Sequence, residues 1–402
     1  MKCKRGYSVT NMSIRTNIIS LLLSDLFTWF SFGIFYTYIA LYMYESGLSY
    51  FVISLLLSLG FLSNVTGNAV GGIIADRIGR KRSIIVGRVF LPAVFLLLAI
   101  LPIDYVSIPI FIGGFGLSAS MIAREALLGE HLQEKKRGLY YNLLNSLCGL
   151  SYGIGAFYAA KFVESEGVIV GFKNACYGAF FIALFAIIAL FGIKEKRIKR
   201  IRTEGFSLMK ELANKKTLLL VTITSIMFLG LAFIWLFISI YAVEALKVSE
   251  SEWGFITAIL WPTNALLSPI LGKISDRLSI IANIVIGCTL IISFSILLAF
   301  PLYHGWHYLT VLLMIDVTGE GFLWPAFFRT EILLTEEEKR GRVFGIVGSI
   351  TEIIRAGVSP LIGKIYGLSK RLPYVISTFL FGSLILVYLL LFKVEKLETS
   401  KK

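Results

Sequence analysis

The sequence predicts an all-α membrane protein of twelve transmembrane helices, arranged as two pseudo-symmetric six-helix bundles. Three observations carry that expectation. The 402 residues are 56% hydrophobic and only 16% charged, with a mean hydropathy of +0.80, and a water-soluble chain of this length has no interior large enough to hide so much apolar surface. The apolar residues gather into runs of roughly 18 to 25, long enough to cross about 30 Å of hydrocarbon as helix, the conformation that satisfies every backbone amide within its own segment. The pattern of the first half also returns in the second half at a fixed offset.

Taken in order, the apolar runs predict six helices over Asn17 to Met43, Phe51 to Ile74, Ser83 to Leu101, Tyr105 to Ala123, Leu139 to Ala160 and Phe172 to Ile193. Six more follow over Thr217 to Val243, Trp253 to Leu271, Ile281 to Phe300, Trp306 to Phe328, Val343 to Ile365 and Tyr374 to Phe392. The first sixteen residues are basic and polar without a cleavage site, and the run after them is too long for a signal peptide, so it reads as the first helix. Between the sixth and seventh runs stands KEKRIKRIRTEGFSLMKELANKK, Lys194 to Lys216. It divides the chain into an N-terminal bundle over 1–193, a linker over 194–216 and a C-terminal bundle over 217–402. Phe206 to Leu212 has the composition of a short amphipathic helix on an anionic leaflet, or equally of a solvated connector.

A net charge of +14 could suggest nucleic acid, but the placement of the basic residues argues against it. Of the 39 Lys and Arg, 31 fall in alternate segments between the predicted helices and 6 in the others, counting Lys173 and Lys364 at the helix ends, with Arg88 and Arg355 inside helices. That asymmetry places both termini and the linker on the cytoplasmic side of the cell membrane. Cys3, Cys148, Cys176 and Cys288 show no metal-ligand or disulfide spacing. His131, His304 and His307 fall in or beside loops, so neither a metal centre nor an enzyme is expected. No P-loop occurs for ATP.

With an offset of 200, Asn64 matches Asn264, Gly72 matches Gly272, Asp76 matches Asp276 and Arg77 matches Arg277. A second match joins EKKRGLYYN, with Arg137 and Gly138, to EEKRGRVFG, with Arg340 and Gly341. Two matches in the same order imply duplicated six-helix bundles. The paired Asn64 and Asn264 suit hydrogen bonds between helices.

After the second predicted helix comes GGIIADRIGRKRS, Gly71 to Ser83. This loop resembles the signature of the major facilitator superfamily through Gly72, Asp76, Arg77, Gly79, Arg80 and Lys81. The second half keeps GKISDRLS, with Gly272, Asp276 and Arg277, while Ser279 takes the second glycine position. Gly72 suits close helix approach, Gly79 a turn with positive φ, and Asp76 the N-terminus of a facing helix. The resemblance implies the two-bundle fold of a secondary transporter, alternating access about a central site, and Asp76 as a latch on the cytoplasmic side. Arg80, Lys81 and Arg82 also serve as topogenic charge.

Charges inside spanning helices are costly, and they mark function. Asp25, Asp316, Glu320, Glu352 and Arg355 form the candidate proton and substrate site. Asp316 and Glu320 lie four apart on one helical face, and Glu352 and Arg355 lie three apart. In the resembled fold all of them fall on helices that form the cavity. One arginine balances about one carboxylate, so the excess acid points to bound protons or a cation. Glu352 with Arg355 reads equally as a structural ion pair, and Asp25 can pair with Arg88. The tryptophans and the aromatic run of the first helix would suit an organic cation or a hydrophobic solute if they lined a cavity, although packing between helices is their commoner use.

Three departures bear on the branch. Gly149 and Gly153 stand in the fifth helix, but Ile154 occupies the proline position of the drug-antiporter pattern. Arg124, the arginine of the fourth helix, falls at its cytoplasmic end. The sugar-porter motif is absent after the sixth helix. The expected function is secondary transport of a small solute, coupled to a proton gradient, by a monomer in the lipid bilayer without cofactor or nucleic acid. A drug or organic-cation exporter and a sugar or organic-acid symporter are the alternatives within this fold. A receptor or channel-like protein is the alternative of another class.

Overall fold

The computed structural model describes residues 3–131, 134–194, 214–336 and 339–399. Its regular elements among these are helices: α1 Cys3–Glu45, α2 Tyr50–Ile78, α3 Arg80–Ile100, α4 Ser107–His131, α5 134–166, α6 168–190, α7 Lys215–Trp235, α8 Ile238–Glu244, α9 Glu250–Ser275, α10 Ile280–Ala299, α11 Trp306–Leu334, α12 Arg340–Leu368 and α13 Leu372–Thr399, with one short 3-10 turn, Ile103–Tyr105. Among the described residues, eleven segments are long and apolar enough to span a membrane. One of them, Leu143–Leu190, has 48 residues; straight, it would measure about 72 Å, more than twice the hydrocarbon thickness. It bends at Gly167, whose φ of 76° breaks the helix into α5 and α6. The predicted linker over 194–216, including Phe206 to Leu212, lies mostly outside the described residues.

The seventh predicted helix is interrupted. Phe237 leaves the helical backbone at φ −120°, ψ 9° and separates α7 from α8, and its ring stacks on Tyr366 of α12 with centroids 4.6 Å apart. Discontinuous helices of this kind are common in transporters.

The chain forms two compact units. Unit 1 comprises Met1–Gly47, Leu59–Thr203 and Thr257–Ala265; unit 2 comprises Leu48–Ser58, Glu204–Ile256 and Leu266–Lys402. In unit 1, Leu21, Ile84, Leu127, Leu144 and Leu190 meet in one core cluster. In unit 2, Leu220 and Val221 of α7 pack on Val343 and Val347 of α12. Large apolar side chains also face outward, among them Phe181, Ile188 and Phe191 near the end of unit 1 and Phe379, Leu386 and Leu390 on α13. Lipid is the solvent that makes this arrangement favourable.

With hydrocarbon tails as apolar as leucine, helices associate by close packing rather than by escape from water. Small residues mark the crossings. A Cβ on Gly33 would strike the Tyr152 carbonyl, and one on Gly155 the Phe30 carbonyl, so α1 and α5 touch backbone to backbone. Gly87 on α3 would place a Cβ 2.6 Å from Gly116 O on α4, and Gly287 on α10 would place one 2.8 Å from Gly319 O on α11. These two glycines stand 200 residues apart in sequence, so the duplicated halves use the same crossing device.

Candidate functional site

The signature loop is only partly described, because the Asp76 side chain lies outside the described residues. Gly79 has φ 94° at the N-cap of α3, as its turn requires. Arg77 is exposed, while Lys81 donates its ammonium to Phe191 O at 2.9 Å and Ile193 O at 2.6 Å, satisfying orphan carbonyls just past the end of α6. Asn17 clasps the same end through both of its amide atoms, with Lys194 N 2.7 Å and Lys194 O 2.9 Å away. Lys81 therefore caps a helix end. Arg80 is partly buried.

Gly72 does not make the predicted close approach: among the described residues a Cβ there would meet nothing within 4 Å. Its neighbours do so instead. A Cβ on Gly71 would lie 2.5 Å from Ala119 O, and one on Gly67 2.5 Å from Phe115 O, both on α4. A one-residue step turns a helix by about 100°, which puts Gly72 on a different face. In the second copy Gly272 is likewise open, and Asp276 and Arg277 are exposed. Ser279, which replaces the glycine, sits at φ −65° and accepts from Ala282 N at 3.1 Å, so a side-chain cap does the work of the glycine turn.

Within unit 1, Asp25 sits between two arginines. Arg88 donates to Oδ1 at 2.9 Å and Arg124 to Oδ2 at 2.7 Å, with all three side chains at most 4% exposed. The pairing with Arg88 matches expectation. Arg124 departs from the reading of it as a helix-end residue: it is buried, and it also pairs with the half-exposed Glu125. Arg88 retains Nε and Nη1 without a partner among the described residues, beside a cavity of roughly one water's volume lined by Thr28, Phe32, Leu91 and Leu117.

Within unit 2, Asp316 is fully buried and neither carboxyl oxygen has a hydrogen-bond partner among the described residues. Glu320, one turn on, receives the indole N–H of Trp324 at 3.4 Å. Glu352 Oε1 accepts from Arg355 Nη1 at 2.9 Å, and Glu352 Oε2 is buried without a partner among the described residues. The Arg355 guanidinium lies 5.3 Å from the Phe228 ring centroid, and that ring meets Trp324 edge-on at 5.6 Å. The chain of contacts Glu352, Arg355, Phe228, Trp324 and Glu320 thus joins α12, α7 and α11. It unites the two charge pairs that sequence spacing identified separately.

Most other aromatics pack between helices, as Phe27 does on Phe185 and Phe30 on Tyr158. Tyr152 meets Trp261 at 4.6 Å, and Gly149 and Gly153 of α5 press against Ala265 and Pro262 of α9 within unit 1. Asn64 accepts from Ser118 at 2.8 Å, the expected bond between helices. Sequence reasoning missed Glu331, 8% exposed on α11, because only Ile332, Leu333 and Leu334 separate it from the polar stretch TEEEKR. It also missed Glu244, which accepts from Tyr50 at 2.6 Å and Tyr366 at 3.2 Å and pairs with Lys370 at 3.0 Å. Only the tyrosine-rich helix ends hinted at that cluster. Among the described residues no group of His, Cys, Asp and Glu could hold a metal ion.

Spanning helices, duplicated crossing glycines, a broken helix and an acid unpaired among the described residues define a membrane transporter of the two-bundle class. The family model described as Major Facilitator Superfamily matches residues 21–356 and 218–402, and the chain belongs to that superfamily. A crystal structure of the nucleoside transporter NupG, in a mutant form, is similar with a TM-score of 0.79 at 12% identity, covering 93% of this chain and 99% of that one. A peptide transporter POT in complex with alafosfalin gives 0.73 at 14% identity, covering 96% and 98%. A POT family transporter in complex with 5-aminolevulinic acid gives 0.71 at 15%, covering 94% and 98%. No curated protein matches the sequence.

Proposed function

We propose that this protein moves a small solute across the cell membrane by alternating access, coupled to protons, with Asp316 and Glu320 as the proton-carrying groups and Glu352 and Arg355 in the solute site. The observation that carries the reading is Asp316, fully buried with both oxygens unpartnered among the described residues and one turn from a second acid. An ionised carboxylate in that position costs several kcal/mol, and a bound proton removes the cost. Loss of the proton becomes favourable only when water or a cation reaches the group, which is what ties protonation to the transport cycle. The solved structures of similar fold, named as nucleoside and peptide transporters, support a small organic solute. The excess of basic residues in alternate segments supports cytoplasmic termini. The working unit is a monomer in the bilayer, the coupling source is a proton gradient, and no catalysis or other cofactor is invoked.

The test is solute-driven pH change in proteoliposomes, screened across sugars, organic acids, amino acids, nucleosides and cations. The Asp316→Asn, Glu320→Gln double variant is expected to lose proton movement while retaining solute binding. Proton movement equal to that of the parent would refute the assignment of those acids.

A further inference from the structure

The site in unit 2 carries a preference for one class of solute. Its four ionisable groups are three acids, Asp316, Glu320 and Glu352, and one base, Arg355. That base is already committed to Glu352 Oε1 and to the face of Phe228. With one proton shared by Asp316 and Glu320, one carboxylate remains without a balancing cation. Glu352 Oε2 is a buried acceptor with no donor among the described residues, and Asp316 offers two more. Buried polar atoms are normally paired, and unpaired acceptors on acids are places where a donor group gains most. The surroundings are aromatic: Phe228 and Trp324 meet edge to face, and Trp324 stacks on Phe328 with centroids 5.8 Å apart. Arg355 over Phe228 shows that this wall already holds a positive charge against a ring.

Resting on the transport reading above, we infer that the solute is an organic cation with an apolar or aromatic body, its positive group bound by the free oxygen of Glu352 and its body against Trp324 and Phe228. An anion would meet three carboxyl groups, two of them ionised, and an arginine that is already neutralised. A neutral polyol would leave the acid unbalanced and find indole and phenyl faces in place of the hydroxyl and amide groups that its own hydroxyls need. A cation supplies both missing elements at once, charge for the acid and contact for the rings.

The test uses the full chain purified in detergent, with binding measured by calorimetry. Three cationic probes of increasing size, benzyltrimethylammonium, N-methyl-4-phenylpyridinium and tetraphenylphosphonium, are compared with neutral triphenylphosphine oxide and anionic tetraphenylborate. At least one cation is expected to bind saturably and at least tenfold more tightly than either comparison compound. Glu352→Gln should weaken it about tenfold or more, as loss of a buried charge partner does, Glu352→Asp should restore part of the affinity, and Trp324→Ala should weaken it severalfold. The parent protein alone decides the matter even if a variant fails to fold: equal binding of cation and neutral compound, or no cation binding, overturns the inference. In the proteoliposome assay, neutral solutes driving proton movement while the cations do not would refute the cation class and leave proton-coupled transport standing. Glu352-dependent cation binding with no solute-driven proton movement would do the reverse.

Discussion

Replacing Asp25 by asparagine should destabilise unit 1 sharply, because it removes the one carboxylate shared by two buried arginines. Both contacts are short, 2.9 Å to Arg88 and 2.7 Å to Arg124, and the side chains are 2 to 4% exposed. At an effective dielectric constant near 20, two unit charges about 4 Å apart attract by roughly 4 kcal/mol, so two pairs give a gross loss of about 8 kcal/mol. Relief of the desolvation of Asp25 returns several of these, and the net cost of orphaning a buried partner is about 3–5 kcal/mol. Arg124 keeps Glu125. Arg88 keeps at most one bond to the amide oxygen, with two of its nitrogens already unpartnered among the described residues. At roughly 2–4 °C per kcal/mol, the melting temperature should fall on the order of 10 °C. Thermal unfolding followed by intrinsic fluorescence in detergent measures this, with Arg88→Met and the double variant closing a cycle. A fall under about 2 °C, or a coupling between the two positions below about 0.5 kcal/mol, would show that the triad is not the stabilising node described here.

Two further outcomes follow from crossings and bonds. Gly155→Val should prevent folding or assembly in the membrane, because its Cβ would occupy the Phe30 carbonyl, while Gly72→Ala should express and unfold like the parent; equal yields of monodisperse protein from both would contradict the backbone contact of α1 and α5. Around Glu244, Tyr50→Phe removes a 2.6 Å bond to a carboxylate and should cost about 1.5–3 kcal/mol. Lys370→Met, at a side chain 42% exposed, should cost only about 0–1 kcal/mol after solvent screening. Melting curves that reversed this order would place the strength of the cluster in the ion pair instead of the phenol.

What sequence could and could not show divides along a physical line. Spans, the repeat and the charges inside helices are legible because the bilayer penalises polarity whatever the tertiary arrangement, so Asp316 and Glu352 stand out against apolar runs. Which face of a helix meets its neighbour is not legible in the same way, since a helix in lipid is apolar all round and its pattern no longer marks an inner side. Gly72 therefore reads in the sequence as a crossing residue, while Gly71 and Gly67 make the crossing. Arg124 and Glu331 were lost for the opposite reason, being near the predicted span ends where charge is cheap and uninformative. The same limit explains why Gly87 and Gly287, identical in offset to the matched motif residues, carried no signal in the sequence. A glycine in a membrane helix is common enough that only the carbonyl facing it reveals its purpose. That the two halves agree at Gly87 and Gly287 but differ in ionisable groups is informative. Unit 1 holds its buried acid locked between arginines, and unit 2 leaves Asp316 without a partner among the described residues. Duplication conserved the packing and let the chemistry diverge, which makes α11 and α12 the place to test first for protons and solute.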